Sequence, residues 1–295
     1  MKKNVYISTA AFRKDILSRQ RTIPYKRVPR IEFSGGPIVG YENSKKGIQS
    51  LLNTGVESIL VHNYFPVPDE SFVLNFASSD PNVLGRSFLL AERALELCAS
   101  FAVPYYSFHP GYLGDGFEKP NGHFEFKSDS FVTYREALGK FKENIFRVLD
   151  LSDRFGVALA VENLFPAPNN LQTSLNCSME EVDELLSSLP KEVGLLVDLG
   201  HLNVTARHLG TDRDRFVAFL MRRFPERIFE IHLSCNNGVT DEHLAPVQGD
   251  WQLEALKAFE ICPGFSGKGV NVTLEARNLD LKTLFTTKAL IENQW

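Results

Sequence analysis

The chain has 295 residues, 43% of them hydrophobic, 23% charged and 11% aromatic, and 32 Lys plus Arg against 36 Asp plus Glu leave a formal charge of −4. This composition excludes a disordered, collagen-like or heptad-repeat chain, and the acidic balance disfavours a protein that coats duplex DNA, although a local basic groove stays compatible with it. The opening Met1-Lys2-Lys3-Asn4-Val5-Tyr6-Ile7 turns polar at Ser8-Thr9, too early for a signal peptide, and no run of about 18 apolar residues could span a membrane, so a cytoplasmic protein with one core is expected.

Taken in chain order, apolar runs rich in β-branched or aromatic residues predict strands at 5–8, 30–33, 58–61, 105–108, 158–161, 194–197, 228–231 and 270–274. Several lack alternation, as parallel strands buried on both faces do. Helix-period segments lie between them, at 15–18, 44–53, 86–101, 131–155, 178–189, 212–224, 252–261 and 281–291. Ser178-Met179-Glu180-Glu181 reads as a capping box. Alternating strands and helices, about eight of each, predict a single-domain (β/α)₈ TIM barrel over residues 1–295. A doubly wound open sheet is the runner-up. It would place a Gly-rich turn after the first strand, where Ser8-Thr9-Ala10-Ala11-Phe12 stands, and the chain has no Walker or GxGxxG pattern. Pro/Gly-rich pieces at 65–68, 110–116, 165–170 and 262–269 are scattered between units and do not form one linker.

A barrel of this kind carries its chemistry at the C-terminal strand ends. There the sequence places His62, His109, Glu162, Asp198 with His201, His232 and Glu275, and Asp241-Glu242-His243 follows the seventh strand. Each residue alone reads more readily as a structural histidine, a cap or an ion pair than as a ligand. Six successive strands ending this way point instead to a centre for divalent cations, and mixed carboxylate and imidazole ligation suits Zn²⁺, Mn²⁺, Fe²⁺ or Co²⁺. His123 and His208 read as surface residues and Cys235 as a small loop filler. Cys98, Cys177, Cys235 and Cys262 stand far apart without CxxC spacing, so no disulfide framework or zinc ribbon is expected.

The motifs His62-Asn63-Tyr64-Phe65, Phe108-His109-Pro110-Gly111, Val161-Glu162-Asn163, Asp198-Leu199-Gly200-His201 and Asp241-Glu242-His243 resemble the xylose isomerase-like TIM barrel superfamily, also called AP endonuclease family 2. It groups endonuclease IV with sugar and sugar-phosphate isomerases and epimerases, and the resemblance runs from Val5 to Arg277. It implies that His62, His109, Glu162, Asp198, His201, His232, Asp241, His243 and Glu275 match the nine ligands of a three-zinc nuclease centre. A smaller set, Glu162, Asp198, His232 and Glu275, matches the one-ion centre of the epimerases. The loops depart from the nuclease: Asn163 leads into Leu164-Phe165-Pro166-Ala167-Pro168, and His232-Leu233-Ser234-Cys235-Asn236-Asn237 lacks its lysine. Ile31-Glu32-Phe33-Ser34-Gly35-Gly36 is closer to the epimerase-type second strand.

Two enzymatic readings follow, with two or three divalent ions, zinc foremost, as cofactors. The favoured one is a metal-dependent sugar or sugar-phosphate isomerase or epimerase, with Glu162 and Glu275 as acid/base groups on opposite faces of a carbon beside a carbonyl. Tyr64 and Phe65 suit stacking on a sugar face or on a base equally, and Arg277 reads as a contact to a phosphate or oxyanion or, at least as readily, as a surface ion pair. The alternative is an endonuclease IV-like phosphodiesterase at abasic DNA, with Arg19, Arg21, Tyr25, Lys26, Arg27 and Arg30 as phosphate contacts and wedge; under this reading alone DNA is a partner. A metal-stabilised binding barrel is the non-enzymatic third. Ser34-Gly35-Gly36 is a candidate anion contact at the catalytic face, while residues 262–269 precede the last strand and belong to the opposite one.

Overall fold

A strand buried on both faces satisfies its backbone by pairing along both edges, and a closed ring of strands leaves no edge unpaired. The computed structural model of the chain describes residues 4–12, 27–118, 124–126, 130–166 and 173–295. Its ring contains β1 (Asn4–Ser8), β2 (Arg30–Phe33), β3 (Ser58–His62), β4 (Tyr105–Phe108), β7 (Ala158–Glu162), β8 (Gly194–Asp198), β9 (Ile228–Leu233) and β10 (Asn271–Leu274). Each neighbouring pair is parallel, and β1 pairs with both β2 and β10, which closes the barrel as the alternation predicts. Outside it, β5 (Gly116–Glu118) and β6 (Phe124–Phe126) form an antiparallel hairpin.

The described α-helices are α1 (Tyr41–Asn53), α2 (Pro81–Ser100), α3 (Tyr134–Phe155), α4 (Met179–Ser187), α5 (Leu199–Leu209), α6 (Arg213–Arg223), α7 (Trp251–Leu256) and α8 (Leu281–Gln294). Local chemistry fixes their starts. Asp80 caps α2 with Pro81 in its first turn, so α2 begins earlier than its leucine repeat suggests. Thr133 with Glu136 and Ser178 with Glu181 form reciprocal capping boxes on α3 and α4. The predicted helix at 15–18 lies outside the described residues.

Three features differ from the expected pattern. Four predicted strands run on, so that His62, Glu162, Asp198 and His232 lie within β3, β7, β8 and β9. The fourth unit carries the β5–β6 hairpin ahead of its helix, and β8 is followed by two helices. The extra one, α5, is rich in poor helix formers such as Gly200, Asn203 and Thr205, and it is secured by the Asp198 side chain, which accepts the His201 N–H at 2.7 Å.

Inside the ring the lower layer is polar and aromatic. Tyr105 receives a 2.7 Å hydrogen bond from Asn271 across the barrel, Tyr6 pairs with Ser58 at 2.8 Å, and Thr273 donates to Glu230 at 2.5 Å. Phe265, in the Pro/Gly-rich segment before β10, packs beneath Tyr105 and Phe229 with ring centroids 5.8 and 4.9 Å away. That places residues 262–269 at the end away from the catalytic strand ends, as expected. Among the described residues no helix is long and apolar enough to cross a membrane.

Gly194 opens β8 directly against Phe229, and a Cβ there would penetrate the ring. Tyr105 and Phe265 hem that ring in, so it cannot yield. Gly194→Ala is therefore expected to cost about 1–3 kcal/mol, read as a lower urea midpoint in equilibrium unfolding.

Candidate metal centre

Parallel strands deliver their C-terminal ends to one mouth, and strand register sets the depth of each side chain. Asp198 of β8 lies opposite His232 of β9, and Ser8 of β1 opposite Glu32 of β2. His62 and Glu162 end β3 and β7; His109 and Glu275 directly follow β4 and β10; His201 sits in the first turn of α5; Asp241 and His243 belong to the loop after β9.

The nine predicted residues converge. Glu162 Oε2 lies 3.3 Å from His62 Nε2 and 3.1 Å from His109 Nε2, and its Oε1 lies 3.2 Å from His201 Nδ1. Asp241 Oδ2 stands between His201 Nε2 (3.5 Å) and His243 Nε2 (2.5 Å). His232 Nδ1 faces Glu275 Oε2 at 3.1 Å and Asp198 Oδ2 at 3.9 Å. The rings of His62 and His232 are 4.7 Å apart, and those of His62 and His109 5.7 Å.

A second ring of contacts orients these side chains. His62 Nδ1 pairs with the Ser107 hydroxyl (3.1 Å) and His109 Nδ1 with the Tyr112 hydroxyl (3.0 Å). His201 Nδ1 faces the Asn163 carbonyl at 2.9 Å, and His243 Nδ1 faces the Glu275 carbonyl at the same distance. Asn163 also clasps the Asp198 backbone, accepting its N–H at 2.8 Å and donating to its carbonyl at 3.1 Å. His243 holds a left-handed backbone with φ of 50°, a conformation that costs a non-glycine residue about 1–3 kcal/mol and that surrounding contacts must enforce.

Two buried carboxylates escaped the sequence reading. Glu32 Oε2 lies 2.7 Å from His232 Nε2, and Glu230 Oε1 lies 3.6 Å from the same nitrogen. The signal was present: each is an acid in mid-strand within an apolar run, and Glu230 precedes His232 by two, which puts both on one face. The strand-end rule looked only at the last residue of each run.

The donor set fits a divalent cation. Both oxygens of Glu162, Asp198 Oδ2, Asp241 Oδ1, Glu32 Oε1 and Glu230 Oε2 are buried with no aligned hydrogen-bond donor, a costly state unless a cation supplies the partner. Ligand atoms of His62, His109 and Glu162 lie within 4.8 Å of one another, as do those of Glu162, Asp198 and His232 and those of Glu32, His62 and His232. No thiol joins them. Cys235 is buried in its loop with Sγ toward Gln252 Oε1 at 3.4 Å.

The Tyr64 hydroxyl accepts the Leu74 N–H at 2.8 Å, and its ring meets Phe72 and Phe124, which ties the loop after β3 to the hairpin. Phe65 stacks on Phe33 with centroids 4.7 Å apart. Arg277 is exposed two residues beyond Glu275, and its N–H donates to the His243 carbonyl at 2.9 Å. The basic run does not reach the mouth where it is described. Arg30 opens β2 at the opposite end and pairs with Glu57 at 3.1 Å, and Arg27 lies over the Phe285 ring. Arg19, Arg21, Tyr25 and Lys26 lie outside the described residues, as does His123. The Ser34 N–H of the candidate anion turn already donates to Thr9 Oγ1 at 3.2 Å. His208 Nε2 contacts the Val239 carbonyl at 3.0 Å.

Residues 38–280 match the family described as xylose isomerase-like TIM barrel. The chain belongs to that family. Among its relatives is the probable endonuclease 4 of Thermoplasma acidophilum, 22% identical over 181 residues that make up 61% of this chain. The matched stretch covers 53% of that relative, so the chain spans about half of its length. A D-tagatose 3-epimerase-like protein has a similar fold, with a TM-score of 0.72 at 18% identity over 99% of this chain and 96% of the other. A Thermus thermophilus protein soaked with ZnCl₂ gives 0.63 at 20% identity over 97% of both chains.

The electrostatics of this xylose isomerase-like centre are set by burial and by carboxylate–imidazole pairing. Burial pushes Glu32 up to about 8 even though His232 pulls it down, and lifts Asp198 to about 7 against the pull of His201. Burial also pushes His62 down to about 4. Burial opposes charge on three further imidazoles too, yet Asp198 holds His201, Glu32 and Glu275 hold His232, and Asp241 holds His243 above the ordinary imidazole value. Burial likewise disfavours charge on Glu162, Asp241 and Glu275, but neighbouring imidazoles keep all three below the usual carboxylate range.

The signs give a pH profile for the metal-free protein. Stability from the raised imidazoles is complete below their unfolded value and is lost as pH rises through the folded ones. The raised Glu32 and Asp198 also shed stability with rising pH, up to about 8 and about 7. Stability from the three depressed carboxylates is lost as pH falls, and His62, neutral when folded, subtracts further on the acid side. Chelator-stripped protein is thus expected to be most stable between about pH 5 and 6.5. Ligation needs deprotonated imidazoles, so the gap in melting temperature between zinc-loaded and stripped protein should widen as pH rises.

Proposed function

We propose that this chain is a polynuclear metal-dependent phosphoester hydrolase in which His62, His109, Glu162, Asp198, His201, His232, Asp241, His243 and Glu275 hold two or three divalent ions, zinc foremost. The observation that carries this reading is Glu162, whose two oxygens face imidazoles from three different elements, together with Asp241 set between His201 and His243. A one-ion centre built on Glu162, Asp198, His232 and Glu275 leaves His62, His109 and the Asp241/His243 pair with no task. Two or three ions use all nine residues.

Bound ions would neutralise charge developing on the phosphoryl and leaving oxygens. The chain's own part is to fix the ligands: Ser107, Tyr112, Asn163 and the Glu275 carbonyl hold four imidazoles in place. Arg277, exposed beside Glu275 and His243, would meet a substrate phosphate at the rim, and Tyr64 and Phe65 would border the sugar. The substrate class is thus a phosphorylated sugar or a phosphodiester, with abasic DNA as one member.

The isomerase or epimerase reading stands second. It is supported by Glu162 ending β7 and Glu275 following β10, two carboxylates from separate strands at one mouth, the pair of acid/base groups that proton transfer beside a carbonyl needs.

The experiment compares abasic-duplex and sugar phosphoester cleavage with sugar isomerisation in deuterated water. Cleavage that chelator abolishes, that zinc restores, and that Glu162→Gln lowers by more than about 100-fold together with metal content is expected. Deuterium entering a sugar without any phosphoester cleavage would establish the second reading instead. Arg277→Ala should raise KM for a phosphorylated substrate about tenfold, or about 1.4 kcal/mol, at unchanged kcat.

A further inference from the structure

The imidazoles of the centre are anchored in two ways. His62, His109, His201 and His243 are held at Nδ1 by hydroxyl or carbonyl oxygens. In each of these four, Nε2 faces a carboxylate of the cage. His232 is turned round. Its Nε2 is the anchored atom, 2.7 Å from Glu32 Oε2, and its Nδ1 faces Glu275 and Asp198. Glu32 reaches it through the barrel interior, because β1 and β10 separate β2 from β9 in the ring. Both side chains are fully buried. Glu230, with its Oε1 at 3.6 Å from Nε2 and receiving the Thr273 hydroxyl, backs the pair from below.

We propose that Glu32 is a positioning residue that commits His232 to bind a divalent cation through Nδ1. A neutral imidazole has one N–H, and Glu32 Oε2, 2.7 Å from Nε2, is an acceptor placed for it. With Glu32 against Nε2 the proton belongs on Nε2, and the Nδ1 lone pair is left for the cation. The hydroxyl partners of His62 and His109 can donate or accept and impose no such choice. A carboxylate also makes the ring a stronger ligand than a neutral acceptor does, since it stabilises the positive charge that metal ligation draws onto the ring. Glu32 thereby connects the second strand to a ligand on the far side of the ring, and it gives the donorless Glu32 Oε1 a reason to be tolerated in the barrel interior.

This inference rests on the centre holding divalent ions, and the test separates the two claims. Zinc stoichiometry and affinity are measured by competition with a chromophoric chelator for wild type, Glu32→Gln and Glu32→Leu. All three are expected to saturate with the same number of ions. Affinity should fall about tenfold in Glu32→Gln, which keeps an acceptor oxygen without the charge, and about 100-fold in Glu32→Leu. Metal-free Glu32→Leu should melt below metal-free wild type, because the buried His232 Nε2 loses its partner, and the loss should be larger in the zinc-loaded protein. In ¹⁵N spectra of the zinc-loaded wild type, His232 should carry its proton on Nε2 while the other four imidazoles carry theirs on Nδ1. Affinities within twofold of wild type in both variants would overturn the proposal, as would an equal loss of stability with and without metal, which marks a purely structural role. One ion fewer in both variants would overturn it too, since Glu32 would then be a ligand itself. Wild type that takes up no zinc would overturn the metal reading along with it.

Discussion

The carboxylate of Glu162 sits fully buried among the imidazoles of His62, His109 and His201, and the upper half of the barrel is arranged around that fact. An isolated buried charge costs several kcal/mol after relaxation. It persists here because three elements bring a partner to it from three sides, and each partner is itself pinned from behind. The same logic repeats outward: Asp241 lies between His201 and His243, and Asp198 and Glu275 flank His232. No member can be changed without exposing the charge on the next. Only a closed parallel ring presents so many side chains to one point from independent strands.

Below that layer the barrel changes character. Tyr6, Tyr105, Asn271 and Thr273 satisfy their polar groups inside the ring, where aliphatic layers are the more common filling. Glu230 belongs to both halves: it takes the Thr273 hydroxyl from the lower layer and approaches His232 in the upper one. Outside, buried apolar residues such as Ile7, Val61, Val197, Ile231 and Val272 pack in the layer between sheet and helices. Stability and chemistry thus occupy separate zones of one strand set and meet at β9.

Much of this was legible before any coordinates. The eight apolar runs pointed to the barrel because buried parallel strands need no alternation, and the strand-end residues pointed to the cage because the C-terminal mouth is common to all strands. What escaped notice escaped for physical reasons. Helix α5 is built from Gly200, Asn203 and Thr205, whose weak propensity is overridden by the Asp198 cap and by burial. The β5–β6 hairpin is too short to carry a periodic signal. Glu32 and Glu230 lie within strands and not at their ends, so a rule that reads each run's last residue passes over them. The basic run near the second strand illustrates the reverse case: sequence proximity suggested the mouth, but Arg30 stands where its strand begins, at the opposite pole. The family resemblance pointed to the nine residues as a set, whereas the direction each imidazole faces is a matter of geometry that no linear motif encodes.

The stack of Phe265, Phe229 and Tyr105 closes the far end of the ring. Traffic through the barrel is therefore one-way in and one-way out by the same door. Any ion held by the buried Glu162 layer would have to enter from the strand-end mouth, past partly exposed His109 and exposed Arg277. A cluster of aromatic rings that touches none of the nine residues at the mouth thus sets the side from which that layer is reached.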